Sequence, residues 1–424
     1  MVNKEKIILL IIFLIALIIR IAVILNFPGK NTAAVSDEQY YDSIAINLAQ
    51  GQDFSYQNNQ PTSWVVPVYP LFLCGIYKIA GHNYIVARFF QALLSSLTCL
   101  IVYFIAINLS AKITALLSAS VTAFYPAFIN YSKYLLPETL FTFLFALAVV
   151  YLLKTKQNSL LRNKAIAAVL LGMASLTKPI VILFPVFVFI WMLACFQFNL
   201  KQKFKDFIII ISFFFLALSP WIIRNFIVHN ELIIADTHTG FSFYGGNNPL
   251  AKGKPTAVKD INPSLQQLEK RFSEDEMNKI YFEEGIKFIK NQSLFQAVKL
   301  STQKILYSLS PFEQKYRISF GILFPFSLIG FLLSLKYKNK FLLLELILLY
   351  FLIAAIIFFG APRYRVPILP YLIIFASVGI VRLYTGFSNK VFPILIYIFI
   401  LAGNLFIYTN PYPIKMCLKN MLNL

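Results

Sequence analysis

Three carboxylates and five cations stand where apolar sequence gives way to loop. Asp37 and Glu38 lie together in Ser36-Asp37-Glu38-Gln39-Tyr40-Tyr41-Asp42, and Glu138 follows Leu135-Leu136-Pro137 at the head of the apolar run TLFTFLFALAVVYLL. The cations are Arg88, Lys178 in Thr177-Lys178-Pro179, Arg224, and the pair Arg363 and Arg365 set between Pro362 and Pro367. Such residues can divide two tasks between them. A carboxylate within hydrogen-bond reach of a hydroxyl acts as a general base, and arginine's planar fork matches the oxygens of a phosphate. Each pattern taken singly also has a plainer explanation. Acids in a first helical turn are stabilised by the helix dipole, as Asp37, Glu38 and Glu138 would be. Arginines between prolines can simply anchor a membrane interface.

Composition decides which elements must hold these groups. Of 424 residues, 58% are hydrophobic and 13% charged, and the formal net charge is +20. That balance excludes a soluble enzyme, a disordered chain and a nucleic-acid binder. A helix of about 20 apolar residues spans a bilayer, and eleven such stretches are expected, near residues 7–25, 89–108, 113–129, 138–153, 162–177, 179–198, 207–223, 317–335, 341–360, 366–384 and 391–409. The fold class is therefore an all-α polytopic membrane protein. The first stretch, preceded by Lys4 and Lys6, is too long for the apolar region of a signal peptide and reads as an uncleaved helix.

With the N-terminus inside, alternate loops carry Lys112; Lys154, Lys156, Arg162 and Lys164; Lys201, Lys203 and Lys205; Lys336, Lys338 and Lys340; and Arg382 with Lys390. The positive-inside rule expects this of the cytoplasmic face. The carboxylates and cations of the opening paragraph then all fall at the opposite edge, where topology does not ask for basic residues. Ionisable groups beside membrane helices mark a functional site by default.

Two outer loops are long, 26–88 and 225–316. Within the first, the proline-broken stretch 64–80 reads as an interfacial helix. Within the second, Leu265 to Ile289 mixes Glu and Lys around Leu268, Phe272, Met277, Ile280 and Tyr281 at helical spacing, as a small soluble subdomain would. The expected organisation is a transmembrane catalytic module (1–224), an outer subdomain (225–316) and C-terminal transmembrane helices (317–424). Cys74, Cys99, Cys195 and Cys417 are scattered and read as apolar thiols. His82, His229 and His238 lack metal-binding spacing, and no nucleotide-binding glycine loop occurs. A divalent cation at Asp37 or Glu38 is allowed by charge, but no ligand set argues for one, and cofactors stay unassigned.

The ordered set of motifs resembles a family. The outer Asp-Glu, Tyr125-Pro126 with Pro137-Glu138, Leu176-Thr177-Lys178-Pro179, Pro220-Trp221-Ile222-Ile223-Arg224-Asn225 and Arg363-Tyr364-Arg365-Val366-Pro367 look like the GT-C integral-membrane glycosyltransferases. The nearest branches are dolichyl-phosphate-mannose-protein mannosyltransferase-like and aminoarabinose-transferase-like. The resemblance implies inverting transfer of a sugar from a polyprenyl-phosphate donor to a lipid glycan, lipopolysaccharide or protein. It places the active site at the periplasmic face of a bacterial inner membrane. It implies Asp37 as base, Glu38 and Glu138 as further acids, and Arg363, Arg365, Lys178 and Arg224 as holders of the donor phosphate. Arg88, Tyr40 and Tyr364 are further candidates. Two other readings stay open. A flippase or transporter would carry its charges near mid-membrane in corresponding halves, whereas these sit at one face. A polyprenyl-linked glycan ligase or polymerase would share the arginine-rich cleft.

Overall fold

The computed structural model describes residues 2–33, 36–56, 60–158, 160–309, 317–386, 397–398 and 401–402. These are helical with connecting turns, and the one extended pairing among them is an isolated bridge between Ser55 and Pro61. The first half runs through α1 (Val2–Leu25), α2 (Ser36–Ala49), α3 (Val68–Ala80), α4 (Tyr84–Leu109), α5 (Lys112–Phe124), α6 (Pro126–Tyr131), α7 (Glu138–Gln157), α8 (Leu161–Ser175), α9 (Phe184–Cys195) and α10 (Leu200–His229). A group of shorter helices follows: α11 (Thr239–Gly246), α12 (Val258–Ile261), α13 (Pro263–Leu268), α14 (Glu274–Lys290) and α15 (Leu294–Leu309). The chain then returns to long apolar helices, α16 (Arg317–Ser334), α17 (Lys338–Ile357) and α18 (Leu369–Gly386), the last entered through a 3-10 turn at Pro362–Ile368.

Among the described residues, seven helices are long and apolar enough to cross a membrane. Three further apolar helices, Val68–Ala80, Lys112–Phe124 and Pro179–Cys195, are shorter. The first ten expected spans each fall on helix, and the eleventh, 391–409, lies almost wholly outside the described residues. Some spans are interrupted for local reasons. Pro126 has no N–H to continue α5, so the chain breaks at Tyr125 and restarts as α6. Of the stretch 64–80, Val68–Ala80 forms α3, which buries Tyr69, Leu73, Ile76 and Tyr77 and exposes Leu71 and Ile79.

The membrane helices pack through small residues. A Cβ on Gly330 of α16 would stand 1.7 Å from the Phe375 carbonyl oxygen, and one on Gly379 of α18 would stand 2.5 Å from that of Phe326. The two backbones can meet only because both positions lack side chains, a common device in membrane helix pairs. Aromatic rings fill the wider gaps. Phe145 is buried against Phe184, Phe351 and Tyr371, and its truncation to Ala would cost roughly 3–5 kcal/mol.

Burial revises one expectation about charge. Lys164, counted above with a basic loop, is buried near the start of α8, where its Nζ lies 2.5 Å from Asp206 Oδ1 of α10. Arg20, inside the first apolar stretch and not singled out from sequence, is buried as well. It donates to Ser95 Oγ and to the carbonyls of Ala16 and Ala123 at 2.8–3.0 Å. Cys74, Cys99 and Cys195 are buried free thiols, while Cys417 lies outside the described residues. The helices α11–α14 form a small core of their own around Tyr244, Val258, Leu265, Met277 and Tyr281.

Candidate active site

The site is assembled at the ends of four segments. α2 starts at Ser36. It ends before Gly51, whose φ of 79° only glycine adopts freely. Asp37 and Glu38 therefore both sit in its first turn, where successive side chains point about 100° apart. The two acids accordingly have different fates. Glu38 is buried and its Oε1 accepts the Leu135 amide at 2.6 Å, whereas the Asp37 side chain is 47% exposed. The helix is held down from its next turn. Asp42 is buried and accepts from Tyr77 Oη at 2.6 Å and Tyr84 Oη at 2.9 Å, with His82 Nε2 at 3.0 Å.

Glu138 opens α7 directly after Pro137 and is completely buried. A lone carboxylate there would be very costly, and two cations come to it. Lys178, in the turn after α8, places Nζ 2.8 Å from Glu138 Oε1. Arg363, in the 3-10 turn before α18, donates through Nε to the same oxygen. The other arm of Arg363 reaches Asp37, with Nη1 to Oδ2 at 2.5 Å. One guanidinium thus bridges a buried carboxylate and an exposed one. Glu138 Oε2 is buried with no hydrogen-bond partner among the described residues. Burial pulls Lys178 below the usual lysine range, and the charge of Glu138 opposes that shift. Its ammonium also lies 5.0 Å from the Tyr364 ring centroid, a cation–π distance.

The remaining candidates sit elsewhere. Arg365 is buried with its guanidinium 4.1 Å from the Phe320 ring centroid and its Nε directed at the Pro362 carbonyl. Arg224 fastens the first long loop, donating to the carbonyls of Thr62 and Phe54 and to Ser63 Oγ. Arg88 donates to the carbonyls of Lys133, Lys30 and Thr32. Tyr40 contacts Thr62 Oγ1 at 3.2 Å and stacks on Tyr56. Among the described residues no group of three acidic, histidine or cysteine side chains is placed to hold a metal ion.

Sequence reasoning missed a second layer around the four charges. Tyr41 lies in the combined field of Arg363, Glu138, Asp37 and Asp236, and burial pushes its hydroxyl well up. Asp236 accepts from the Thr239 amide at 2.9 Å and from its hydroxyl at 2.5 Å, and burial raises it to about 6 against those bonds. His238 is held down at about 4 by burial, opposed by the charge of Asp37. The available signal was Asp236-Thr237-His238 just before a helix start, a polar cluster in an otherwise apolar neighbourhood. His82 and His229 have structural partners: His82 serves Asp42, and His229 lies between Ser63 Oγ at 2.8 Å and Asp275 Oδ1 at 3.3 Å.

Comparison with known proteins agrees with this architecture. Residues 66–233 match the family model of the dolichyl-phosphate-mannose-protein mannosyltransferases. An uncharacterized protein of Aquifex aeolicus is 31% identical over 131 residues, which are 28% of this chain and 25% of that one. The archaeal oligosaccharyltransferase AglB of Archaeoglobus fulgidus, solved with an inhibitory peptide and a dolichol-phosphate, superposes with a TM-score of 0.56 at 14% identity. That match covers 95% of this chain and 54% of the archaeal one, so the chain spans about half the length of that enzyme. ArnT from Cupriavidus metallidurans, bound to undecaprenyl phosphate, gives a TM-score of 0.44 at 12% identity over 89% of this chain and 78% of its own. The chain thus shares the fold of the archaeal oligosaccharyltransferase, and its residues 66–233 carry the pattern of the dolichyl-phosphate-mannose-protein mannosyltransferase family.

Proposed function

We propose that this chain is a membrane glycosyltransferase. It moves a sugar from a polyprenyl-phosphate-linked donor to an acceptor hydroxyl, with inversion, at the periplasmic face of a bacterial inner membrane. The observation that carries the reading is the Arg363 guanidinium shared between exposed Asp37 and buried Glu138. Only two of its five N–H donors serve these carboxylates, and the exposed half of the bridge is weakly held. An arriving donor phosphate can therefore take the outward arm of Arg363 while Glu138 keeps the inward one. Asp37 is then released beside the reacting centre.

The chemistry follows from that exchange. The acceptor O–H gives its proton to Asp37, and its oxygen bonds to the anomeric carbon from the face opposite the phosphate. The C–O bond to phosphate breaks with its electron pair on the phosphate oxygen, which needs cations and no proton. Arg363 and Lys178 supply them in a setting that excludes most water, where fixed charge is most effective. Glu138 keeps both cations charged and oriented, and its second oxygen has capacity to accept a bond from the acceptor. Arg365, Arg224 and Glu38 act at longer range, by holding the turn, the first loop and the start of α2.

The reading is tested with purified protein in lipid vesicles, undecaprenyl-phosphate-linked sugar and envelope extract as acceptor. Asp37→Asn should lower transfer by about 10²–10⁴, the usual value of a general base, while the protein stays folded. Near-normal transfer would remove Asp37 from the reaction.

A further inference from the structure

A cavity of about 460 Å³ opens beside the site, between the start of α2, the loop before α3 and the helices α11 and α14. Its volume lies within the usual range for small-ligand sites. Five of its walls are aromatic: Tyr40, Trp64, Phe241, Phe272 and Tyr281. Three of the rings, Trp64, Phe241 and Tyr281, form a connected series, and Tyr40 is braced from outside the cavity by Tyr56. Trp64 meets Phe241 edge-on at 5.7 Å, Phe241 meets Tyr281 at 5.6 Å, and Tyr40 stacks on Tyr56 at 4.0 Å. Phe272 is exposed although it lies in a region with its own core. That is a cost in water unless something covers it.

The charged lining is two acids, Glu269 and Glu274, and one base, Lys259. The acids are pre-positioned. Glu274 accepts from Thr62 Oγ1 at 2.6 Å, from the Ser63 amide at 2.9 Å and from Thr237 Oγ1 at 3.1 Å, and Glu269 accepts from Tyr281 Oη at 2.6 Å. A carboxylate has about four lone-pair directions, so both retain acceptor capacity. A balance of two acids to one base does not suit a phosphate. It suits a ligand with many hydroxyl donors, whose C–H faces can lie on the electron-rich faces of aromatic rings. A peptide docking as an added strand would need a sheet edge, and among the described residues there is no sheet.

The cavity is connected to the reacting groups. Tyr40 follows Asp37 by three residues on α2, one turn apart on one face. Trp64 touches the His238 ring at 4.6 Å, and His238 in turn feels the charge of Asp37. We infer that this cavity is the acceptor subsite and that the acceptor is a neutral or amino-substituted oligosaccharide, held with the hydroxyl to be glycosylated toward Asp37. This rests on the glycosyltransferase reading and adds the substrate class.

The test uses the full-length protein in detergent micelles against three probes. These are an array of neutral and amino-sugar oligosaccharides, a matched set of Ser- and Thr-containing decapeptides, and undecaprenyl phosphate. At least one oligosaccharide class should bind, Trp64→Ala should weaken it at least tenfold, and Trp64→Phe, which keeps an aromatic face, should stay within about threefold. A monodisperse Trp64→Ala protein with an unchanged melting profile guards against misfolding, and Glu269→Gln provides a second variant, expected to lose severalfold in affinity. No glycan binding, equal binding by Trp64→Ala, or binding of decapeptides in place of glycans would each overturn the inference. Failure of the wild type to bind undecaprenyl phosphate while glycans bind would instead overturn the donor reading and leave the saccharide site standing.

Discussion

Helix α8 has a lysine near each end, and the two lysines do different things with the same chemistry. Lys164 and Lys178 are 14 residues apart, about 21 Å along a helix. At one end Lys164 closes a pair with Asp206, both side chains within 5% of full burial, and Gln202 Nε2 adds a second bond to the carboxylate at 2.8 Å. At the other end Lys178 shares Glu138 with Arg363, which also holds an acid left half in solvent, and one Glu138 oxygen stays unpartnered among the described residues. The first arrangement joins two neighbouring helices and is a staple between α8 and α10. The second draws on α2, α7, the turn after α8 and the turn before α18, and contains an exchangeable bond. A buried ion pair is weak evidence of function. What distinguishes a site is incomplete satisfaction together with solvent access.

The comparison can be broken by mutation. Between the two ends of α8, the larger effect on transfer is expected from Glu138→Gln. Two cations lose the charge that orients them, and transfer should fall by about 10²–10³, the usual loss for one element of electrostatic stabilisation. Wild-type transfer by this variant would make the Lys178 end as structural as the other. Asp206→Asn should do the opposite. It leaves Lys164 buried without a counter-charge, which costs about 3–5 kcal/mol of stability, while transfer per folded molecule is retained. Calorimetry in detergent with activity corrected for folded fraction separates the two outcomes. An unchanged melting temperature would show that the staple contributes nothing.

The smallest effect concerns the layer around the site. Asp236 titrates at about 6 in the folded protein against an ordinary value of 3.8. Its folded-state pKa is raised, so the folded form binds more protons between these values. Its contribution favours folding at low pH and is lost as pH rises through about 6. Asp236→Asn should remove that loss, raising the melting temperature at pH 7 relative to pH 5 by about 1–3 °C compared with wild type. An identical pH profile in both proteins would show that Asp236 does not titrate this way.

Much of the architecture was legible because membrane helices announce themselves by unbroken apolar length. The site acids and bases were legible because charge beside such helices is expensive. What the sequence could not show is which of these charges meet. Asp37 and Glu38 are neighbours in the chain, yet one turns to Arg363 and the other to the Leu135 amide. Arg363 and Arg365 share one motif, yet Arg363 meets Glu138 and Asp37 while Arg365 lies on the Phe320 ring and the Pro362 carbonyl, because a 3-10 turn sends residues two apart in different directions. Arg88 and Arg224 are expected on the same side by charge pattern, but Arg88 spends donors on backbone carbonyls and Arg224 on carbonyls and Ser63 Oγ, none of which has a sequence signature. His238 lies far from Asp37 in the chain, and no local pattern announces that it feels that charge. Arg20 was hidden by the apolar stretch around it.

The central claim is that the Lys178 end of α8 receives a lipid-linked phosphate. The most direct measurement is the affinity of wild type and Arg363→Gln for undecaprenyl phosphate in the same micelles. A bond between charged groups is worth about 1.5–3 kcal/mol, so the variant should bind at least tenfold more weakly. Equal affinity in the two proteins would contradict the account.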